Sequence, residues 1–200
     1  MPAWNGWYHL MANTYGTWLP GDPRGFRTRA HREHVEGDYK SPPAEDYSAR
    51  HAAAEQSLKR DPVVLSPQAR RVAVEALRVR LHEMGCEVLA AAVSSRHLHV
   101  LLRVQSPRIA MRGLSKSNRV REGLDPLPRH VLGVAKKHTA HVLSSKALVS
   151  AGGVWAKRGK IKPIRDRAHQ LNTFHYILDH EKEGAATWSF NDKPKKKPTD

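Results

Sequence analysis

The run Ser94–Val104, SSRHLHVLLRV, constrains the fold more than any other stretch of the sequence. It reads as a strand, and a strand sends successive side chains to opposite faces. Leu98, Val100, Leu102 and Val104 then make an apolar face that needs a layer packed over it, whereas His97, His99, Leu101 and Arg103 share the other face. Two imidazoles side by side on a sheet face are a candidate ligand pair. His-x-His alone is a weak metal signal, so the reading depends on what the rest of the chain brings to that face.

The segments around this strand suggest a small α+β domain. Cys86–Val93, CEVLAAAV, has strand length and stands close enough to form an antiparallel hairpin with the histidine strand through Ser94-Ser95. Before it, Ser66-Pro67 is a helix start. Ala69, Val72, Ala73, Ala76, Leu77, Leu81 and Met84 recur at helical spacing, and Gly85 stands where a C-terminal glycine belongs. Trp7–Leu19, WYHLMANTYGTWL, reads as a first strand with a turn near Gly16. A helix is expected over Val131–Ala147 or the polar stretch before it, an edge strand or hairpin within Val154–Ile164, and a last helix from Gln170 to Glu183. The order is strand, helix, strand, strand, helix, strand, then a C-terminal helix. That is the order of a ferredoxin-like α+β sandwich, an antiparallel sheet with helices on one face. Its open face would carry His97 and His99.

The expected organisation is one domain over 1–190. A long basic insertion, rich in proline, glycine and charge, occupies about 20–62, with a short helix near Ala49–Lys59. The remainder, 191–200, is a basic tail with the composition of a disordered segment. Arg24, Arg27, Arg29 and Arg32 in the insertion suit phosphate contact or a solvated charge run.

The charge is placed unevenly. Residues 1–100 hold 13 basic and 11 acidic side chains, but residues 101–200 hold 21 and 8, so almost all of the formal +15 belongs to the second half. A polyanion is the natural partner of such a field, and nucleic acid fits better than a membrane because no basic amphipathic helix accompanies it. A single cysteine, Cys86, excludes an intrachain disulfide and a multi-thiolate metal site. No apolar run approaches the roughly 20 residues of a membrane span, and the N-terminus lacks the pattern of a signal peptide. A cytoplasmic protein, at the nucleoid if it binds DNA, is expected.

The last helix supplies the reactive group. At about 100° per residue, Leu171, Phe174, Ile177 and Leu178 form one stripe, and Tyr176 and His180 lie together one turn apart on the other side. Three imidazoles, His97, His99 and His180, can hold a divalent metal and polarise a phosphodiester oxygen. Tyr176 beside them can serve as a nucleophile once its phenol, of ordinary pKa about 10, is activated. Its attack on phosphorus leaves a phosphotyrosine link to the nucleic acid. Tyr176 as a surface aromatic and His180 as a helix-end histidine are the plain alternatives. His138 and His141 form a competing pair without a nucleophile, and His175 stays unassigned.

His97-Leu98-His99 resembles the His-hydrophobic-His motif of the single-tyrosine HUH transposases and their REP-associated relatives, and FHYILDHEKEGA resembles their tyrosine helix. The resemblance extends from WYHLMANTYGTWL to the last helix. It implies the ferredoxin-like fold, with Tyr176 catalytic and His97, His99 and His180 as metal ligands. The implied activity is metal-dependent nicking and rejoining of single-stranded or hairpin DNA through a 5′-phosphotyrosine. The implied assembly is a homodimer in which one subunit's tyrosine can serve the other. Many relatives have Gln or Asn where this chain has His180. Mg²⁺ or Mn²⁺ is the expected cofactor, and three imidazoles open the way to Zn²⁺.

Arg103, Arg112, Lys116, Arg119, Lys157, Arg158, Lys160 and Lys162 are the candidate DNA-backbone contacts. Trp4, Trp7, Tyr8 and Trp18 suit either base stacking or core packing. The alternative function is a catalytically silent DNA- or RNA-binding protein that retains the fold. A phosphoesterase with paired His-x-Thr/Ser motifs is excluded, since neither the pattern nor a second copy is present.

Overall fold

The computed structural model of the chain describes residues 3–22, 47–104, 126–150 and 152–192. Most of the expected insertion, the basic stretch containing Arg112, Lys116 and Arg119, and all but the first two residues of the tail lie outside the described residues.

The sheet is built from β1 (Trp7–Asn13), β2 (Cys86–Val93), β3 (His97–Val104), β4 (Lys160–Pro163) and β5 (Ala186–Ser189). Its spatial order is β4-β1-β3-β2-β5, with every neighbouring pair antiparallel. Among the described residues the α-helices are α1 (Ser48–Gln56), α2 (Pro67–Glu83), α3 (Pro126–Ser145) and α4 (Arg167–Asp179). β1, α2, β2, β3, α3 and β4 follow one another as in a ferredoxin-like fold, so the chain is an α+β sandwich as the sequence suggests. β5 is an addition outside β2 that the sequence reading did not include.

Local chemistry accounts for the main elements. The Ser66 hydroxyl caps α2 by accepting from the Ala69 amide at 3.2 Å, and Pro67 occupies the first turn. Ala69, Ala73, Val74, Ala76, Leu77 and Leu81 are buried along its inner face. The β2–β3 turn is held by the Ser94 hydroxyl, which accepts from the amides of Arg96 at 3.2 Å and His97 at 3.0 Å. The carbonyl just before the histidine strand, that of Arg96, accepts three hydrogen bonds: from the Thr14 amide at 2.7 Å, the Thr14 hydroxyl at 3.1 Å and the Thr17 hydroxyl at 3.2 Å. Gly16, with φ at +73°, makes the turn that returns Thr17 to it.

The two faces of the sheet have separate cores. Leu10, Leu98, Val100 and Leu102 pack beneath α2 and α3 with Leu77, Leu81, Val131 and Leu143. The opposite face buries Trp7, Ala90, Ala92 and Leu101 with Ile177 and Ala185. α4 therefore lies across the histidine-bearing face, against β2, β3 and β5.

Of the expected stripe, Ile177 is buried and Phe174 and Leu178 pack partly buried against the same cluster, but Leu171 departs from it and polar residues join the buried side. Gln170, Thr173 and Ile177 are buried, whereas Leu171 is 47% exposed. The sheet beneath presents small side chains, Ala90 and Ala92, and the polar Thr173 is accommodated by donating to its own helix at the His169 carbonyl, 2.7 Å away. The expected helix 170–183 is also divided: α4 ends at Asp179 and a 3-10 turn covers His180–Glu183 before Gly184, whose φ is +79°. Trp7 and Tyr8 are core residues, which removes them as base-stacking candidates, while Trp18 is exposed.

Candidate metal centre and its tyrosine

Three elements converge on one spot. β3 supplies His97 and His99 on the same face, as strand alternation requires, and the 3-10 turn after α4 supplies His180. One nitrogen from each ring lies within 4.8 Å of the others, the only such cluster of potential ligands among the described residues. The ring centroids are 4.9 Å apart for His97 and His99, 5.3 Å for His97 and His180, and 4.6 Å for His99 and His180. His99 and His180 are buried and His97 half-buried. The 3-10 turn carries His180 inward to the other two rings, which sets aside the plain alternative of a helix-end histidine.

The state of the rings suits ligation. The Nδ1 of His180 lies 2.8 Å from the Tyr176 carbonyl, an atom that only accepts, so Nδ1 carries the hydrogen and Nε2 is the nitrogen that can turn to an ion. Burial, with His9, His97, His180 and Lys162 nearby, pushes the His99 pKa down to about 2 and keeps the ring neutral. Neutral imidazoles are good ligands for first-row transition metals, so the donor set fits a transition-metal ion.

A fourth histidine belongs to the cluster. His9 of β1 is buried, and its Nε2 is 2.9 Å from His99 Nδ1. Burial foremost, then Lys162, His169, His180 and Lys160, lowers its pKa to about 3. The sequence reading missed it because nothing local ties residue 9 to residue 99. The β1–β3 pairing creates the contact by setting Met11 opposite His99 and His9 opposite Leu101.

Tyr176 stands over these rings and is 51% exposed. Its ring is edge-on to His180 at 4.8 Å, His99 at 5.5 Å and His9 at 6.0 Å. The i, i+4 spacing that placed Tyr176 beside His180 in the sequence holds, even though His180 begins a tighter turn.

The remaining candidates are distributed unevenly. Lys160 and Lys162 lie opposite Met11 and His9 on the edge strand β4, hence on the histidine face, and both are exposed. Lys157 and Arg158 are exposed in the segment leading to them. Arg103 shares the face but is engaged in an ion pair with Glu87 and lies over the Trp7 ring at 5.5 Å. His138 and His141 are on α3, across the sheet from the cluster, and His175 turns its ring towards Phe174 at 5.5 Å.

Among the described residues no helix is long and apolar enough to cross a membrane. The chain matches no protein-family model and no curated protein. Among solved structures it is similar to a REP-associated tyrosine transposase bound to a REP hairpin, with 12% identity and a TM-score of 0.42 over 90% of this chain and 69% of that one.

Proposed function

We propose that the protein is a metal-dependent endonuclease and strand transferase of single-stranded DNA, a transposase or a domesticated relative of one. Tyr176 is its nucleophile, and His97, His99 and His180 are its ligands. The observation that carries this reading is the meeting of a half-exposed tyrosine with a three-imidazole cluster, ring to ring at 4.8 Å. A divalent ion held by the three histidines would supply Lewis-acid polarisation of the scissile phosphate. Nitrogen donors favour Mn²⁺ or Zn²⁺ over Mg²⁺.

The chain's own side chains do the rest. Lys157, Arg158, Lys160 and Lys162 draw the phosphate backbone towards the histidine face. The Tyr176 phenol loses its proton to water at its exposed edge. Its oxygen bonds to phosphorus while the bond from phosphorus to the 3′ oxygen breaks, and that oxygen takes up a proton as it leaves. The product is a 5′-phosphotyrosine and a free 3′ hydroxyl, and attack by another 3′ hydroxyl reverses the step and joins strands. The tyrosine is taken to act in cis. Exchange of tyrosines within a homodimer is the other arrangement that the sequence resemblance implies.

The test incubates the protein with labelled single-stranded hairpin DNA and Mn²⁺ and looks for an adduct that survives denaturation. Wild type forms it, Tyr176→Phe does not, and His180→Ala binds Mn²⁺ more weakly. An adduct unchanged in Tyr176→Phe removes Tyr176 as nucleophile. Binding without an adduct across varied hairpins favours the non-catalytic nucleic-acid-binding alternative.

A further inference from the structure

We propose that His9 is a positioning residue of the metal centre: its Nε2 accepts the Nδ1 hydrogen of His99 and so fixes Nε2 as the nitrogen that His99 offers to the ion. The inference rests on the reading of His97, His99 and His180 as ligands.

A neutral imidazole has one hydrogen and one lone pair, and the two nitrogens exchange these roles between tautomers. If His99 kept its hydrogen on Nε2, its lone pair would face His9 and be lost to the metal. Ligation through Nε2 demands the opposite tautomer, which needs an acceptor beside Nδ1. The atom at that place is His9 Nε2, 2.9 Å away. The pair is buried, with His9 5% and His99 7% exposed, so water does not readily take the acceptor's part. Strand pairing fixes the contact: His9 reaches His99 diagonally across β1 and β3, and its backbone cannot shift without breaking that register.

His180 shows the same device with a different acceptor. Its Nδ1 is capped by the Tyr176 carbonyl at 2.8 Å, leaving Nε2. Two of the three ligands thus have their distal nitrogen tied to a fixed acceptor. Outer contacts of this kind orient a ligating histidine and raise its basicity, and losing one typically costs about 10- to 100-fold in metal affinity.

The test uses the full chain, stripped of metal and titrated with Zn²⁺ by calorimetry. His9→Phe, which fills the space without an acceptor, is expected to bind Zn²⁺ about 10- to 100-fold more weakly. His9→Gln, whose amide oxygen reaches near the place of Nε2, is expected to recover most of the loss, which a merely structural role would not predict. In the Zn²⁺-loaded wild type, proton–nitrogen correlation spectra are expected to show the hydrogen on His99 Nδ1, with a coupling across the hydrogen bond to His9 Nε2. That measurement does not depend on the variants folding. Zn²⁺ affinity unchanged in His9→Phe, a His9→Gln variant as weak as His9→Phe, or absence of the coupling overturns the role of His9 alone. Failure of wild type to take up Zn²⁺ overturns the metal centre together with it.

Discussion

Cys86 shows how strongly position decides the chemistry of a single side chain. It opens β2 in the core under α2, and burial pushes its thiol up to about 11. Thiolate is the reactive form, so almost none exists at pH 8. The expected outcome is that a haloacetamide labels the native protein far more slowly than the urea-unfolded protein at that pH, measured by mass spectrometry. Labelling at equal rates would show that the first turn of β2 opens readily. The same contrast between local pattern and placement runs through the candidate site. His97 and His99 were legible because alternation in one strand sets them on one face, and Tyr176 and His180 because one helical turn sets them together. His9 was not legible, since its partner is 90 residues away and only strand register brings the two together.

Elements were legible where capping and periodicity agreed, as in α2 with its serine cap and closing glycine. They were misread where packing chose against hydrophobicity. α4 buries Gln170 and Thr173 beside Ile177 and leaves Leu171 outside, although Phe174 and Leu178 of the expected stripe still pack on the sheet. β5 has only four residues, too few for alternation to register, and its edge position is defined by pairing with β2 alone. β4 is equally short, and the loop before it is placed by close approach. A Cβ on Gly159 would lie 2.5 Å from Leu132 Cδ2 and 2.7 Å from the Met11 carbonyl oxygen. The leucine tip can turn aside, but the β1 backbone cannot without breaking its pairing with β3. Gly159→Ala is therefore expected to destabilise the fold by about 1–3 kcal/mol. Urea unfolding measures this as a lower midpoint at unchanged slope, and a midpoint equal to wild type would contradict the close approach.

At the scale of the whole molecule, the sequence made the sheet and the helical layer on its apolar face legible and left the insertion unread. The order of strands and helices pointed to an open histidine face, whereas α4 packs across it, and the charge asymmetry falls on the half of the chain that supplies β4 and its approach. If Lys157, Arg158, Lys160 and Lys162 meet phosphates, each releases a counterion, and log affinity falls against log salt with a slope of about −0.7 per contact for a single strand. Replacing all four with glutamine is expected to make that slope shallower by about 3, measured by fluorescence anisotropy with a single-stranded oligonucleotide across a salt series. A slope unchanged by the replacement would send the search for the phosphate track to another face.

The hydrogen bond from His180 to the Tyr176 carbonyl has a consequence for how such a site can operate. The group proposed to attack and one of the groups proposed to hold the ion are links of a single rigid turn. Under the proposed roles, any displacement of this turn would move nucleophile and ligand together, so a substitution that disturbs it is expected to weaken adduct formation and metal binding in parallel.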